Sequence, residues 1–141
     1  MKTARGYRLI EHTADMGIEA RAASPEAVLI TMACGLKELM FGDSFVRERL
    51  QTQVSCSGED AVEQLVAWLN EVVYWCDQDN RVPARFAVTR HADRQLKGTI
   101  WGEPFDPRRH AMERQVKSVT YHQACLDCDA NGCFARVYVD L

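Results

Sequence analysis

From Val62 to Cys76 the chain repeats one pattern: Val62, Leu65, Val66, Leu69, Val72, Val73 and Cys76. This is the i, i+3, i+4, i+7 spacing of a single helix face, kept over about four turns. A stripe of that length needs a broad apolar surface to lie on, and that requirement constrains the rest of the chain. Trp68 and Trp75 flank the stripe, where indoles pack rather than bind ligands. Ser57-Gly58-Glu59-Asp60 precedes the helix as its opening and Asp77-Gln78-Asp79-Asn80 stops it.

A second helix is predicted earlier. Ser24-Pro25-Glu26 supplies a cap hydroxyl, a first-turn proline and an acid. Val28, Met32, Leu36, Leu39 and Met40 follow at helical spacing, and Gly42-Asp43 ends the run. The remaining apolar segments alternate as strands do: Tyr7–Ile10, Ile18–Ala22, Leu50–Cys56, Ala84–Thr89, Leu96–Trp101, Val116–His122, Cys125–Asp127 and Cys133–Leu141. Ala92-Asp93-Arg94 and Asn131-Gly132 read as hairpin turns. In the last strand Cys133, Ala135, Val137 and Val139 share one face, and Phe134, Arg136, Tyr138 and Asp140 the other. Two helices covering one face of a mixed, mainly antiparallel sheet of about seven strands give an α+β fold, with one domain over residues 1–141.

The 141 residues suffice for one proper core. A net charge of −3 argues against a domain whose main task is to grip a nucleic-acid backbone, and sequence-specific nucleic-acid binding is not expected. No apolar run reaches the roughly 18 residues of a membrane span. The first six residues show no apolar export segment, so the expected location is cytoplasmic. In that reducing setting the six cysteines read as thiols or metal ligands rather than a disulfide framework. Cys34, Cys56 and Cys76 fit as small apolar core residues.

Polar chemistry is densest in Glu11-His12-Thr13-Ala14-Asp15-Met16-Gly17, between two strands. At the other end, Asp140 and the carboxylate of Leu141 close the last strand. Were Asp15 to meet them, the carboxylates would repel unless a cation joined them. An all-oxygen donor set favours calcium or magnesium. The plainer alternative makes Asp15 a turn cap and Asp140 a solvated side chain. A second polar region runs from Trp101 to His122, where Glu103, His110, Lys117 and His122 offer acid, base and cation without a defensible nucleophile–base pair. A polar rim around a loop is the simpler reading, with Asp106-Pro107 as a cap and first-turn proline. A third cluster, His122, Cys125, Cys128 and Cys133, has spacing that admits tetrahedral zinc, although the second Cys-x2-Cys of a strong motif is missing. No standard phosphate-cradling glycine loop is present.

Taken together, His12-Thr13-Ala14-Asp15-x-Gly17, Trp68-Leu69-Asn70-Glu71, Gly102-Glu103-Pro104-Phe105-Asp106-Pro107-x-x-His110, Val116-Lys117-x-Val119-Thr120-Tyr121-His122 and a terminal strand ending in Asp140 resemble the archease family, in order and over nearly the whole chain. The resemblance implies an accessory protein rather than an enzyme. Its partner would be the GTP-dependent RNA ligase that joins 3′-phosphate to 5′-hydroxyl ends in tRNA splicing and RNA repair. It would promote guanylylation and multiple turnover of that ligase. It further implies a divalent-metal site on Asp15, Asp140 and Leu141, with His12, Glu103 and Lys117 as candidate ligase contacts. Cys125, Cys128 and Cys133 lie outside the family pattern. Two other classes compete: a small metal-dependent hydrolase using the same carboxylates, and an interaction module stabilised by zinc at the cysteine hairpin.

Overall fold

The computed structural model describes residues 6–11 and 16–141. Within these the chain runs β1 (Tyr7–Glu11), β2 (Met16–Ala22), α1 (Pro25–Phe41), β3 (Leu50–Ser57), α2 (Ala61–Gln78), β4 (Arg81–Arg90), β5 (Gln95–Pro104), β6 (Ser118–Asp129) and β7 (Gly132–Asp140). Both helices start as their sequences require. Ser24 Oγ accepts from the Ala27 N–H at 3.1 Å, and Asp60 Oδ1 accepts from the Glu63 N–H at 2.9 Å. Gly42 closes α1 with φ 62°, a left-handed conformation that glycine adopts without penalty, and its N–H donates to the Glu38 carbonyl.

The seven described strands form two sheets rather than the single mixed sheet expected from the sequence. One has the order β1-β2-β7-β6 and the other β3-β5-β4, and every pairing is antiparallel. The two helices do not cap one face. α1 touches β1, β2 and β7 of the first sheet and β4 of the second; α2 touches β6 of the first and all three strands of the second. The helices therefore fill the space between the sheets, and the α2 stripe is buried there. One face of each sheet turns inward: Ile18, Ala20, Ala135, Val137 and Val139 from the first, Phe86, Val88, Leu96 and Ile100 from the second.

Two glycines allow this close packing. An added Cβ on Gly98 would lie 2.3 Å from the Trp68 ring, and one on Gly102 would lie 2.1 Å from the Val82 carbonyl and 2.8 Å from the Trp75 ring. Both tryptophans are fully or almost fully buried, so they pack as expected, and Trp68 Nε1 donates to the Leu29 carbonyl at 3.0 Å.

Two strands expected separately, Val116–His122 and Cys125–Asp127, are one strand. Pairing of β6 with β7 holds to Thr120, lapses, and resumes at Cys125. In the gap Gln123 has φ 54° and its carbonyl accepts from Arg136 Nε. Such a bulge bends an edge strand without ending it. Asp106-Pro107 opens a single turn, not a helix: the N–H groups of Arg109 and His110 donate to the Asp106 carbonyl and that of Arg108 to its Oδ1.

The reading of the cysteines as thiols or ligands needs correction at one pair. Cys128 and Cys133 are direct cross-strand partners at the end of the β6–β7 hairpin and are joined as a disulfide. Their sulfurs are thereby unavailable to zinc. His122, Cys125, Cys128 and Cys133 do not assemble a metal-holding group. Cys34, Cys56 and Cys76 are free thiols in partly or fully buried positions, and burial raises all three above the ordinary thiol range, Cys56 to about 11.

Candidate functional site

Three segments converge at one end of the four-stranded sheet. β1 leaves the sheet at Glu11, whose cross-strand partner is Met16, and Met16 in turn faces Val139 of β7. Asp140, the next residue, pairs with Ser118 of β6, and its carbonyl accepts the Lys117 N–H at 2.8 Å. The central strand β7 thus carries Asp140 to a point flanked by the residue that follows Asp15 and by Lys117. Asp140, Leu141 and Lys117 are all exposed. Asp15 and His12 lie outside the described residues.

The position of β6 here depends on a helix side chain. Asn70 of α2 donates from Nδ2 to the Val119 carbonyl at 3.0 Å and accepts the Val119 N–H on Oδ1 at 2.8 Å. β6 is an edge strand, so Val119 has backbone groups that no further strand takes up; the amide supplies both partners. Asn70 stood within a family-like segment of the sequence, yet its role depends on which strand α2 faces, and that is not visible in a helical repeat.

The donor set at this end suits a hard cation. Among the described residues the Asp140 carboxylate has no lysine or arginine partner, and carboxylate oxygens are the ligands that calcium and magnesium prefer. Among the described residues no three His, Cys, Asp or Glu side chains group to hold a metal.

Glu103 occupies a different place. The expectation that it meets a partner directly is corrected, because it has no exposed surface. Its carboxylate takes two bonds from Arg109, at 2.6 and 3.1 Å, one from the Arg47 N–H at 2.8 Å and one from His110 Nε2 at 3.0 Å. His110 Nδ1 accepts the Asp106 N–H at 2.9 Å, so the ring hydrogen sits on Nε2 and points at Glu103. The Arg109 guanidinium first, then the Arg47 N–H and His110, hold the Glu103 carboxyl down to about 2 against the opposing effect of burial. This is a buried clamp on the 103–110 turn, not the polar rim that the sequence suggested. Arg109 was not singled out in the sequence, although an arginine six residues from a strand-end glutamate was the available signal. His122 is exposed, its ring 6.5 Å from that of Tyr138.

Two helices packed between two antiparallel sheets, with polar strand ends converging at one edge, define a small single-domain α+β protein. The chain belongs to the archease family: the model of the Archease protein family (MTH1598/TM1083) matches residues 7–141. It is 32% identical over 135 residues to the protein archease of Methanopyrus kandleri, covering 94% of this chain and 96% of that one. It is 31% identical over 138 residues to the protein archease of Saccharolobus islandicus, covering 97% and 99%. The solution structure of protein 1598 from Methanobacterium thermoautotrophicum superposes with a TM-score of 0.85 at 29% identity, covering 97% of this chain and 99% of that one. The crystal structure of an archease, possible chaperone, from Thermotoga maritima shares the fold with a TM-score of 0.65 at 21% identity, covering 95% and 96%.

Proposed function

We propose that this chain activates a GTP-dependent RNA ligase that joins 3′-phosphate to 5′-hydroxyl ends, promoting guanylylation of the ligase and its repeated turnover. In this reading Asp15, Asp140 and the carboxylate of Leu141 hold one calcium or magnesium ion, and His12 and Lys117 face the ligase. The observation that carries it is the register of the four-stranded sheet. Met16 is the cross-strand partner of Val139, so the neighbours of Asp15 and Asp140 in the chain are neighbours in space.

Asp15, Asp140 and the Leu141 carboxylate would hold the divalent cation, which would offset most of their charge and relieve their mutual repulsion. The chain's own residues do the rest. Asn70 and the Lys117–Asp140 backbone bond hold β6 and β7 in line. Lys117 stands exposed beside the carboxylates as a cation for a phosphate or an acidic partner group. The protein needs no nucleophile of its own in this scheme, because guanylylation takes place on the ligase and depends on aligned phosphates and metals there.

The test is formation of the ligase–GMP adduct with the parent, Asp15→Ala and Asp140→Ala proteins. Loss of stimulation in both variants, with unchanged thermal unfolding, is expected. Full stimulation by both removes these carboxylates from the mechanism. Turnover of a phosphoester by the isolated protein would point instead to a hydrolase.

A further inference from the structure

The end of the four-stranded sheet is built from rows of cross-strand partners. The outermost row that spans all four strands is Glu11, Met16, Val139 and Val119; the next is Ile10, Gly17, Tyr138 and Thr120. Gly17 comes two positions after Asp15 in the sequence, and its cross-strand partner Tyr138 comes two positions before Asp140. Residues two apart on a strand share a face, so the Tyr138 side chain is on the Asp140 side of the sheet, roughly 7 Å further in. Its ring lies across Gly17. A Cβ added to that glycine would be 2.8 Å from Tyr138 Cε1, 3.0 Å from Cδ1 and 3.2 Å from Ile10 Cβ. Gly17 is not among the described glycines with positive φ, so it serves here by leaving space and not by its conformation. Two further contacts hold the tyrosine. Thr120 Oγ1 donates to its carbonyl at 3.1 Å, and the His122 ring stands 6.5 Å from its ring.

We infer that Tyr138 is a positioning residue of the cation site proposed above: its ring walls the sheet side of the Asp140 carboxylate, and glycine stands at position 17 to leave room for that ring. The inference rests on the cation reading and adds to it two residues that hold no metal themselves. Asp140 is exposed, and water reaches it from the open end of the sheet. An aromatic ring at the next position inward on the same face keeps water off that side. The oxygens of Asp140 are then solvated or liganded toward the end of the sheet, where Leu141 follows and where β2 begins at Met16. The apolar surround of a metal site sets solvent access and the local dielectric, and changes to groups behind the ligands cost roughly ten- to a hundredfold in affinity. A tyrosine suits this half-buried position because the body of its ring packs on the glycine while its hydroxyl keeps a polar end at the surface.

The test is cation binding by the isolated protein, without ligase or RNA. Calcium, then magnesium, is titrated by calorimetry into the parent, Tyr138→Phe, Tyr138→Leu, Gly17→Ala and Asp140→Asn proteins. Thermal unfolding without metal checks that each is folded. Tyr138→Leu and Gly17→Ala are expected to bind the cation about tenfold more weakly, and Tyr138→Phe, which keeps the ring, within about twofold of the parent. The second readout is terbium luminescence, which a purely structural tyrosine would not move. Terbium stands in for calcium with the same preference for oxygen ligands, and it emits strongly only when the tyrosine that absorbs the exciting light is close to it. Most of the emission excited through tyrosine should vanish in Tyr138→Phe and persist in Tyr121→Phe, which alters the exposed tyrosine of the β6 bulge. Parent-like cation affinity in both Tyr138→Leu and Gly17→Ala, or undiminished terbium emission in Tyr138→Phe, would overturn the inference. So would a comparable loss of cation affinity in Tyr138→Phe, which would assign the role to the hydroxyl. An absence of cation binding by the parent overturns the cation reading and this inference together. Binding that Asp140→Asn abolishes and the Tyr138 and Gly17 variants keep overturns this inference alone.

Discussion

The carboxylate of Glu103 shows how one buried acid can shape a surface turn without touching the surface. A lone ionised carboxylate in a protein interior is strongly disfavoured, and this one is stable because a guanidinium, an imidazole N–H and a backbone N–H all donate to it. Replacing it by Gln leaves Arg109 and His110 without their anion. Glu103→Gln is therefore expected to lose roughly 3 kcal/mol of stability, measured as a shift of the denaturation midpoint in urea. The same residue fixes a pH window. Its carboxyl titrates near 4.5 when free of these contacts and near 2 in the fold, so its contribution is complete above about 4.5 and is lost as pH falls toward 2. Urea titrations of the parent between those values should show falling stability, and those of Glu103→Gln a flatter profile. A parallel decline in both proteins would mean that other carboxylates govern acid unfolding.

The β6 edge is where local sequence rules were least informative, and its failures have separate causes. Val116–His122 and Cys125–Asp127 alternate well enough to look like two strands. The bulge joining them exists only because β7 offers partners on both sides of the gap, and a pairing register is a property of two strands at once. The division into two sheets is hidden for a similar reason: alternation says that one face of each strand is buried, not against which neighbour. The features set by adjacent residues were legible, namely the Ser24 and Asp60 caps, the α2 stripe and the alternating faces of β7. Asp15 and Asp140 can be listed as acids from the sequence, but that Met16 stands opposite Val139 is a matter of the β2–β7 register, which neither strand shows alone. Two substitutions test how β6 is held. Asn70→Ala strips both partners from Val119 and is expected to lower stability by about 2 kcal/mol, with faster amide exchange confined to the 117–120 segment. Reducing the Cys128–Cys133 bridge releases a short loop and should lower stability by about 2 kcal/mol, read as the difference in unfolding midpoint with and without a thiol reductant. An unchanged midpoint would show that the Gly132 turn and the strand pairing fix the hairpin unaided.

At the scale of the whole molecule, the fold brings opposite ends of the chain together at one polar edge, and that has a thermodynamic signature. β2 and β7 pair within one sheet although they are near the two ends of the sequence, and in sequence Asp15 precedes Met16 as Asp140 follows Val139. The unfolded chain separates Asp15 from Asp140, so a cation shared by them binds the native state alone. Ligand that binds only the folded protein stabilises it by about 2.7 kcal/mol at one hundred times its dissociation constant, which for a domain of this length raises the unfolding temperature by roughly 10 °C. Calcium or magnesium should therefore shift the melting curve of the parent upward and a chelator should reverse the shift, whereas Asp140→Asn and Asp15→Asn melt at the same temperature in both conditions. Because the linkage acts through the β2–β7 pairing, the protection should be strongest for amides of those two strands in hydrogen exchange and weak in β3, β4 and β5. Uniform protection across both sheets, or an equal shift in the Asn variants, would place the cation elsewhere on the molecule.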